Sequence, residues 1–291
     1  MMKLFALLAA SVLASTAAAA QEQAAGKDEI IVEGARPSEK ETKSLARQLG
    51  ANIDLLRPIP RFASPLCLDV AGLRDEYQGR FANRVIENAK RAGVPIAPEG
   101  CRPNAMVMFA EDSRNQLLAL RKKNRFLFGE MPRHAFREML NSRDKVYAWQ
   151  LNEVTGLGLQ FDANSDFGDG VPANRTLEVG RLNPPIRIVT RTSVVVIEKS
   201  QTEAKTPEQL ADYATMRLIA PTAEIPSDAA GPPTIMTLFA DPDSAPAGLT
   251  DFDLAYLDSV YSVRANGPSG QVFVKTASQV AAAERGAAEA P

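Results

Sequence analysis

Two short runs, AMVMFA (Ala105–Ala110) and VVVI (Val194–Ile197), are apolar at every position. Side chains alternate between the two faces of a strand, so a strand with no polar member is buried on both. Helical spacing flanks the first run. Leu73, Tyr77, Phe81, Val85, Ala89 and Ala92 recur on one face, and Gly93 supplies the stop. Asp112 or Ser113 can cap a helix running through LLALRKK, and Pro132 opens another in PRHAFREMLNS. The middle of the chain changes texture: KVYAWQLNEVTG, NRTLEVGR and IRIVTRTSVVVIEKS read as strands with turn residues between them. These patterns predict one α/β (α+β) domain, in which a mixed twisted sheet packs against long helices.

The expected boundaries come from the ends. Lys3, the apolar run Leu4–Leu13 and Ala18-Ala19-Ala20 read as a secretory signal peptide over 1–20. The apolar run is too short to span a bilayer, and no later stretch reaches the length a spanning helix needs, so no integral membrane segment is expected after cleavage. Residues 21–51 are polar and small and read as a flexible leader. Within the leader, DEIIVEGARP is a short β-prone island similar to the energy-coupling box of outer-membrane receptors; a leader with one sticky turn is the better account of it. The folded domain is expected over 52–264, followed by a polar, alanine-rich disordered tail over 265–291. The protein is therefore expected in the periplasm or secreted.

Composition narrows the function. With 33 Lys and Arg against 35 Asp and Glu, no basic excess drives binding to nucleic acid. The two cysteines, Cys67 and Cys101, read as one structural disulfide in an exported chain. FDANSDFGDG places Asp162, Asn164 and Asp166 like the start of a calcium loop, but Phe167 and Ala173 stand where glycine and glutamate are needed, so a hairpin loop is the better account. No nucleophile elbow, P-loop or dinucleotide fingerprint is present. The single histidine, His134, lies on an amphipathic helix and reads as an ordinary surface or core residue.

Two helices near the end have clear starts. In TPEQLADYATMRLIA, Thr206 is the N-cap, Pro207 the first helical residue and Gln209 completes a capping box. In LTDFDLAYLDSVY, Thr250 is the N-cap with Asp253 three residues on. Between them lies PTIMTLF (Pro233–Phe239). Strand, helix, methionine turn and an LT-x-x-D helix, in that order, resemble the zincin metalloproteases, and most closely the metzincin branch. The resemblance covers residues 188–262 and sets Met236 in the methionine turn. It implies a zincin-like fold with a substrate groove along the strand Val189–Ile197.

The departure from that family is in the metal helix. Zinc proteolysis needs two imidazoles one helical turn apart and a carboxylate beside them. Here Ala211 and Thr215 stand where the ligands belong and Asp212 where the glutamate belongs. The resemblance therefore implies a scaffold that has lost zinc catalysis, with no metal and no cofactor. The expected function is binding of a peptide or protein partner of the cell envelope, with the strand near Val189–Ile197 offering its edge. Val194, Val196, Gln209, Asp212, Tyr213 and Met236 are the expected binding residues. The alternative is a hydrolase with a carboxylate metal site around Asp212, the one weak catalytic candidate.

Overall fold

The computed structural model describes residues 37–50, 53–142, 144–156 and 185–289. In chain order the elements are α1 (Glu39–Leu49), β1 (Leu68–Ala71), α2 (Asp75–Arg91), β2 (Ala105–Ala110), α3 (Ser113–Lys123), α4 (Arg133–Asn141), β3 (Val146–Gly156), β4 (Ile186–Glu198), α5 (Pro207–Ile219), α6 (Asp251–Ser262) and α7 (Gly270–Glu289). The four strands form one mixed sheet in the order β1-β2-β4-β3. β1, β2 and β4 run parallel, and β3 is an antiparallel edge paired along β4. The α/β (α+β) expectation holds.

The unbroken apolar runs have the explanation their pattern demanded. On β2, Ala105, Val107 and Phe109 enter the larger core, built with α1, α2, α5, α6 and α7. Met108 and Ala110, one residue out of phase, enter a second core with Leu117 and Leu120 of α3 and Leu140 of α4. β4 splits the same way, Val195 and Ile197 to the first core, Val194 and Val196 to the second. Helices thus cover both faces, which is the condition under which two strands can carry no polar side chain.

Cys67 and Cys101 are joined as a disulfide with Cα atoms 6.1 Å apart. It ties the residue before β1 to the segment leading into β2, and the Asn104 side chain adds bonds to Cys67 N (2.8 Å) and Pro65 O (3.0 Å). Closing a loop of 34 residues removes unfolded-chain entropy amounting to about 3–4 kcal/mol.

Two boundary expectations are corrected. The leader expected over 21–51 contains α1, which opens with a capping box between Ser38 and Glu41 and buries Thr42, Leu45, Ala46 and Leu49. The tail expected over 265–291 contains α7, which buries Val272, Phe273, Ala277 and Val280. The physical reason is mutual. Each helix has a narrow apolar stripe too small to stand alone, and α7 packs against both α1 and α6. The packing is close: a Cβ on Gly50 would lie 2.8 Å from the Phe273 ring. The expected signal peptide, the DEIIVEGARP island, the strand in NRTLEVGR and the FDANSDFGDG hairpin lie outside the described residues. No helix among the described residues is long and apolar enough to cross a membrane.

Candidate functional site

The six expected binding residues do not share a surface. Val194 and Val196 are fully buried in the second core, whereas Tyr213 and Met236 are fully buried in the first, on the opposite side of the sheet. β3 pairs β4 along one side; on the other, β2 pairs Ser193–Glu198 and the backbone of Arg61 bonds Ile188 O and Thr190 N, so no continuous edge is left for a peptide. The expected groove along Val189–Ile197 is corrected on that ground. Part of the cause is composition: the unbroken apolar run Val194–Ile197 suits the middle of a sheet, not its border.

Asp212 is fully buried in α5 and its carboxylate is saturated. It accepts from Arg84 Nε (2.7 Å) and Nη2 (2.8 Å), Asn88 Nδ2 (2.6 Å) and the backbone N of Leu249 (2.9 Å). Gly248 passes so close that a Cβ there would stand 2.7 Å from Asp212 Oδ2. This carboxylate joins α2, α5 and the loop before α6. With both oxygens facing a guanidinium, it has no open coordination position, and the carboxylate metal site expected around it is corrected accordingly. Among the described residues no group of three or more His, Cys, Asp or Glu is placed to hold a metal. Tyr213 donates to Glu224 Oε1 at 2.8 Å and meets the Phe239 ring edge-on; burial pushes its phenol well above the usual range. Gln209 caps α5 and donates to Pro246 O at 2.9 Å.

The methionine turn is equally internal. Asp253, at the third position of α6, accepts from Thr234 Oγ1 (2.5 Å), Ile235 N (2.9 Å) and Thr250 N (3.0 Å). Desolvation still wins, and burial pushes its carboxyl up to about 6. The LT-x-x-D motif thus serves as a knot that fixes the turn carrying Met236 against α6.

The open feature lies elsewhere, at the carboxyl ends of the parallel strands. α2 leaves β1 toward the first core and α3 leaves β2 toward the second, so the two connections part above the sheet. A crevice at such a reversal is the usual ligand site of an open α/β sheet. Here it is a cavity of about 480 Å³, within the ~300–1,000 Å³ range of ligand sites. Its floor is apolar: Leu73, Tyr77, Phe81, Phe109 and Leu210. Its rim is cationic: Arg74 at the start of α2, and Lys199 and Lys205 on the loop from β4 to α5. No carboxylate, histidine or cysteine is among the described residues that line it.

Local conformation explains the shape. Gly72 has φ +86°, and a Cβ there would lie 2.0 Å from Phe109 O, so only glycine lets the chain turn this closely over β2. Ala204, beside Lys205, is held at φ 58°, a left-handed conformation that costs about 1–2 kcal/mol outside glycine. The rim cations are lightly engaged. Arg74 lies 3.3 Å from Glu76 and 4.9 Å over the Tyr77 ring; Lys199 lies 2.8 Å from Glu111; Lys205 sits 5.2 Å over the Phe239 ring. Such exposed ion pairs contribute about 0–1 kcal/mol. The arrangement can hold an anion with an apolar body, but pairs no acid with a base.

A second cavity of about 590 Å³ lies across the strand ends. Its Glu198 is engaged internally, accepting from Lys145 Nζ (2.7 Å), Ser113 Oγ (2.9 Å) and Ser200 Oγ (3.0 Å). The Lys145 ammonium, with the Ser113 hydroxyl and N–H and the Ser200 hydroxyl, holds the Glu198 carboxyl down at about 2.

The first cavity was not among the expected sites. Its lining comes from segments around residues 72–81, 109, 199–205 and 207–210, which mean nothing together until the strand order is known. The available signal was Gly72 and Lys199, each just beyond a strand, and Lys205, just before α5. Compared with protein-family models, curated proteins and solved structures, the chain matches none.

Proposed function

We propose that this chain is an exported, non-catalytic protein that binds a peptide or protein partner in the periplasm or outside the cell, and that the cavity above β1, β2 and β4 is its binding site. One observation carries the reading: an open cavity with an apolar floor and a cationic rim, whose described lining includes no acid–base pair and no activated nucleophile. Export rests on the N-terminal segment and on the disulfide. The zincin-like resemblance remains part of the proposal as the origin of the scaffold, with Asp212 standing where the catalytic glutamate of that family belongs and serving here to join helices.

The test uses the mature chain, residues 21–291, bearing Thr202→Trp as a plug for the cavity mouth. Wild type is expected to bind peptides, to cleave none of them and to carry substoichiometric metal by plasma mass spectrometry; the plugged variant is expected to lose binding. Peptide cleavage with stoichiometric zinc overturns the proposal, and so does binding that Thr202→Trp leaves intact.

A further inference from the structure

We infer that the occupant of this cavity is the free C-terminal carboxylate of a peptide whose last side chain is apolar. The inference rests on the reading that the cavity is the binding site, and names what it recognises.

The floor is built to take an apolar group. Phe81 comes from α2, Phe109 from β2 and Leu210 from α5, all nearly fully buried, and the two phenylalanine rings meet edge-to-face at 5.3 Å. Three elements of the main core therefore hold the floor rigid before any ligand arrives, which lowers the ordering cost of binding. The rim selects charge. Arg74 approaches from α2, and Lys199 and Lys205 approach from the β4–α5 loop. An anion at the mouth therefore meets cations from both sides, with no carboxylate among the described lining residues to oppose it.

These cations are free to change partners. The Arg74–Glu76 side chains are 77% and 59% exposed, and those of Lys199–Glu111 are 41% and 83% exposed. Pairs that solvated are readily exchanged for a ligand carboxylate held above an apolar floor. A terminal residue carries both required groups one bond apart from its Cα, an apolar side chain to fill the floor and a carboxylate to reach the rim. The rest of the peptide leaves through the open mouth. Capture of a terminal carboxylate is an established way for a binding domain to read one end of a partner.

The experiment is fluorescence anisotropy with labelled hexapeptides ending in Leu, Phe or Ser, each prepared as the free acid and as the C-terminal amide, with decanoate as a lipid-like competitor. Free acids ending in Leu or Phe are expected to bind at least about tenfold more tightly than their amides. They are expected to bind better than the Ser peptides and to weaken as salt rises. The Lys199→Ala/Lys205→Ala double variant should bring acid and amide close to equal affinity, and Lys199→Gln/Lys205→Gln repeats the test with side-chain bulk retained. Both variants are checked by circular dichroism. Equal affinity of acids and amides in wild type overturns the inference; if Thr202→Trp still abolishes that binding, the cavity reading survives it. Binding of decanoate alone overturns the inference in favour of a lipid, and binding of no peptide overturns both readings.

Discussion

Nε and Nη2 of Arg84 lie 2.7 and 2.8 Å from the two carboxylate oxygens of Asp212, a two-pronged pair that fastens α2 to α5. The aspartate is fully buried, whereas the arginine side chain is 36% exposed. The bond to Asp212 raises the pKa of Arg84 further, so its charge is permanent. Removing the cation leaves a buried charge with only neutral donors. Arg84→Ala is therefore expected to cost about 3 kcal/mol, whereas Asp212→Asn, which removes the buried charge itself, costs less. Urea denaturation of the two variants measures the order. The reverse order would show that the pair is held by something other than the buried anion.

Asp253 makes stability depend on pH in an unusual direction. Its carboxyl is raised by burial to about 6, against 3.8 when free. Between these values the folded chain holds a proton that the unfolded chain has released. The contribution is complete below about pH 4 and is lost as pH rises through about 6, for a total of about 3 kcal/mol. Glu198 acts oppositely: held down at about 2, it contributes stability above the ordinary glutamate range and loses it as pH falls toward 2. The two are separated by working between pH 5 and 7, where Glu198 is ionised in both states. Stability should fall across that window in wild type and stay flat in Asp253→Asn, as read from urea midpoints.

Gly72 shapes the cavity through contact with Phe109. At φ +86° and with a Cβ only 2.0 Å from a backbone oxygen, alanine cannot be accommodated without moving the β1–α2 loop. Gly72→Ala is expected to destabilise by at least about 2 kcal/mol and to displace Arg74 from the rim. Thermal melts read the first effect and peptide binding the second. Gly79, with nothing within 4 Å of an added Cβ, is the control, and Gly79→Ala should be neutral or slightly stabilising.

The C-terminal helix should behave as core. Phe273 is 2% exposed and packs against the α1 terminus at Gly50. Phe273→Ala is expected to cost about 3–5 kcal/mol, a loss that no residue of a loose tail would produce. Deleting residues 270–291 should expose Leu45 and Leu49 and lower the melting temperature sharply. A melt unchanged by either variant would restore the tail reading.

Much of the local structure was legible because it depends on near neighbours in the chain. The capping boxes at Thr206–Gln209 and Thr250–Asp253 appear as their spacing predicts. The unbroken runs Ala105–Ala110 and Val194–Ile197 are strands buried on both faces, and the two cysteines are paired. Even α1 had left a signal: Ser38 and Glu41 form a capping box, and Thr42, Leu45, Ala46 and Leu49 follow at helical spacing. Its polar surroundings masked that stripe, and nothing local announced that α7 would cover it. What only the tertiary structure decided were relations between distant segments. The order β1-β2-β4-β3 put Ser193–Ile197 inside the sheet and, with the backbone of Arg61 bonded to Ile188 and Thr190, closed the expected groove. Arg84, 128 residues from Asp212, turned a candidate catalytic acid into a fastening between helices. The same strand order brought Gly72, Phe109 and Lys199 to one cavity. Periodicity and capping record what each segment can become. Which segments share a surface is set by burying all their apolar faces at once, a condition that no single segment contains.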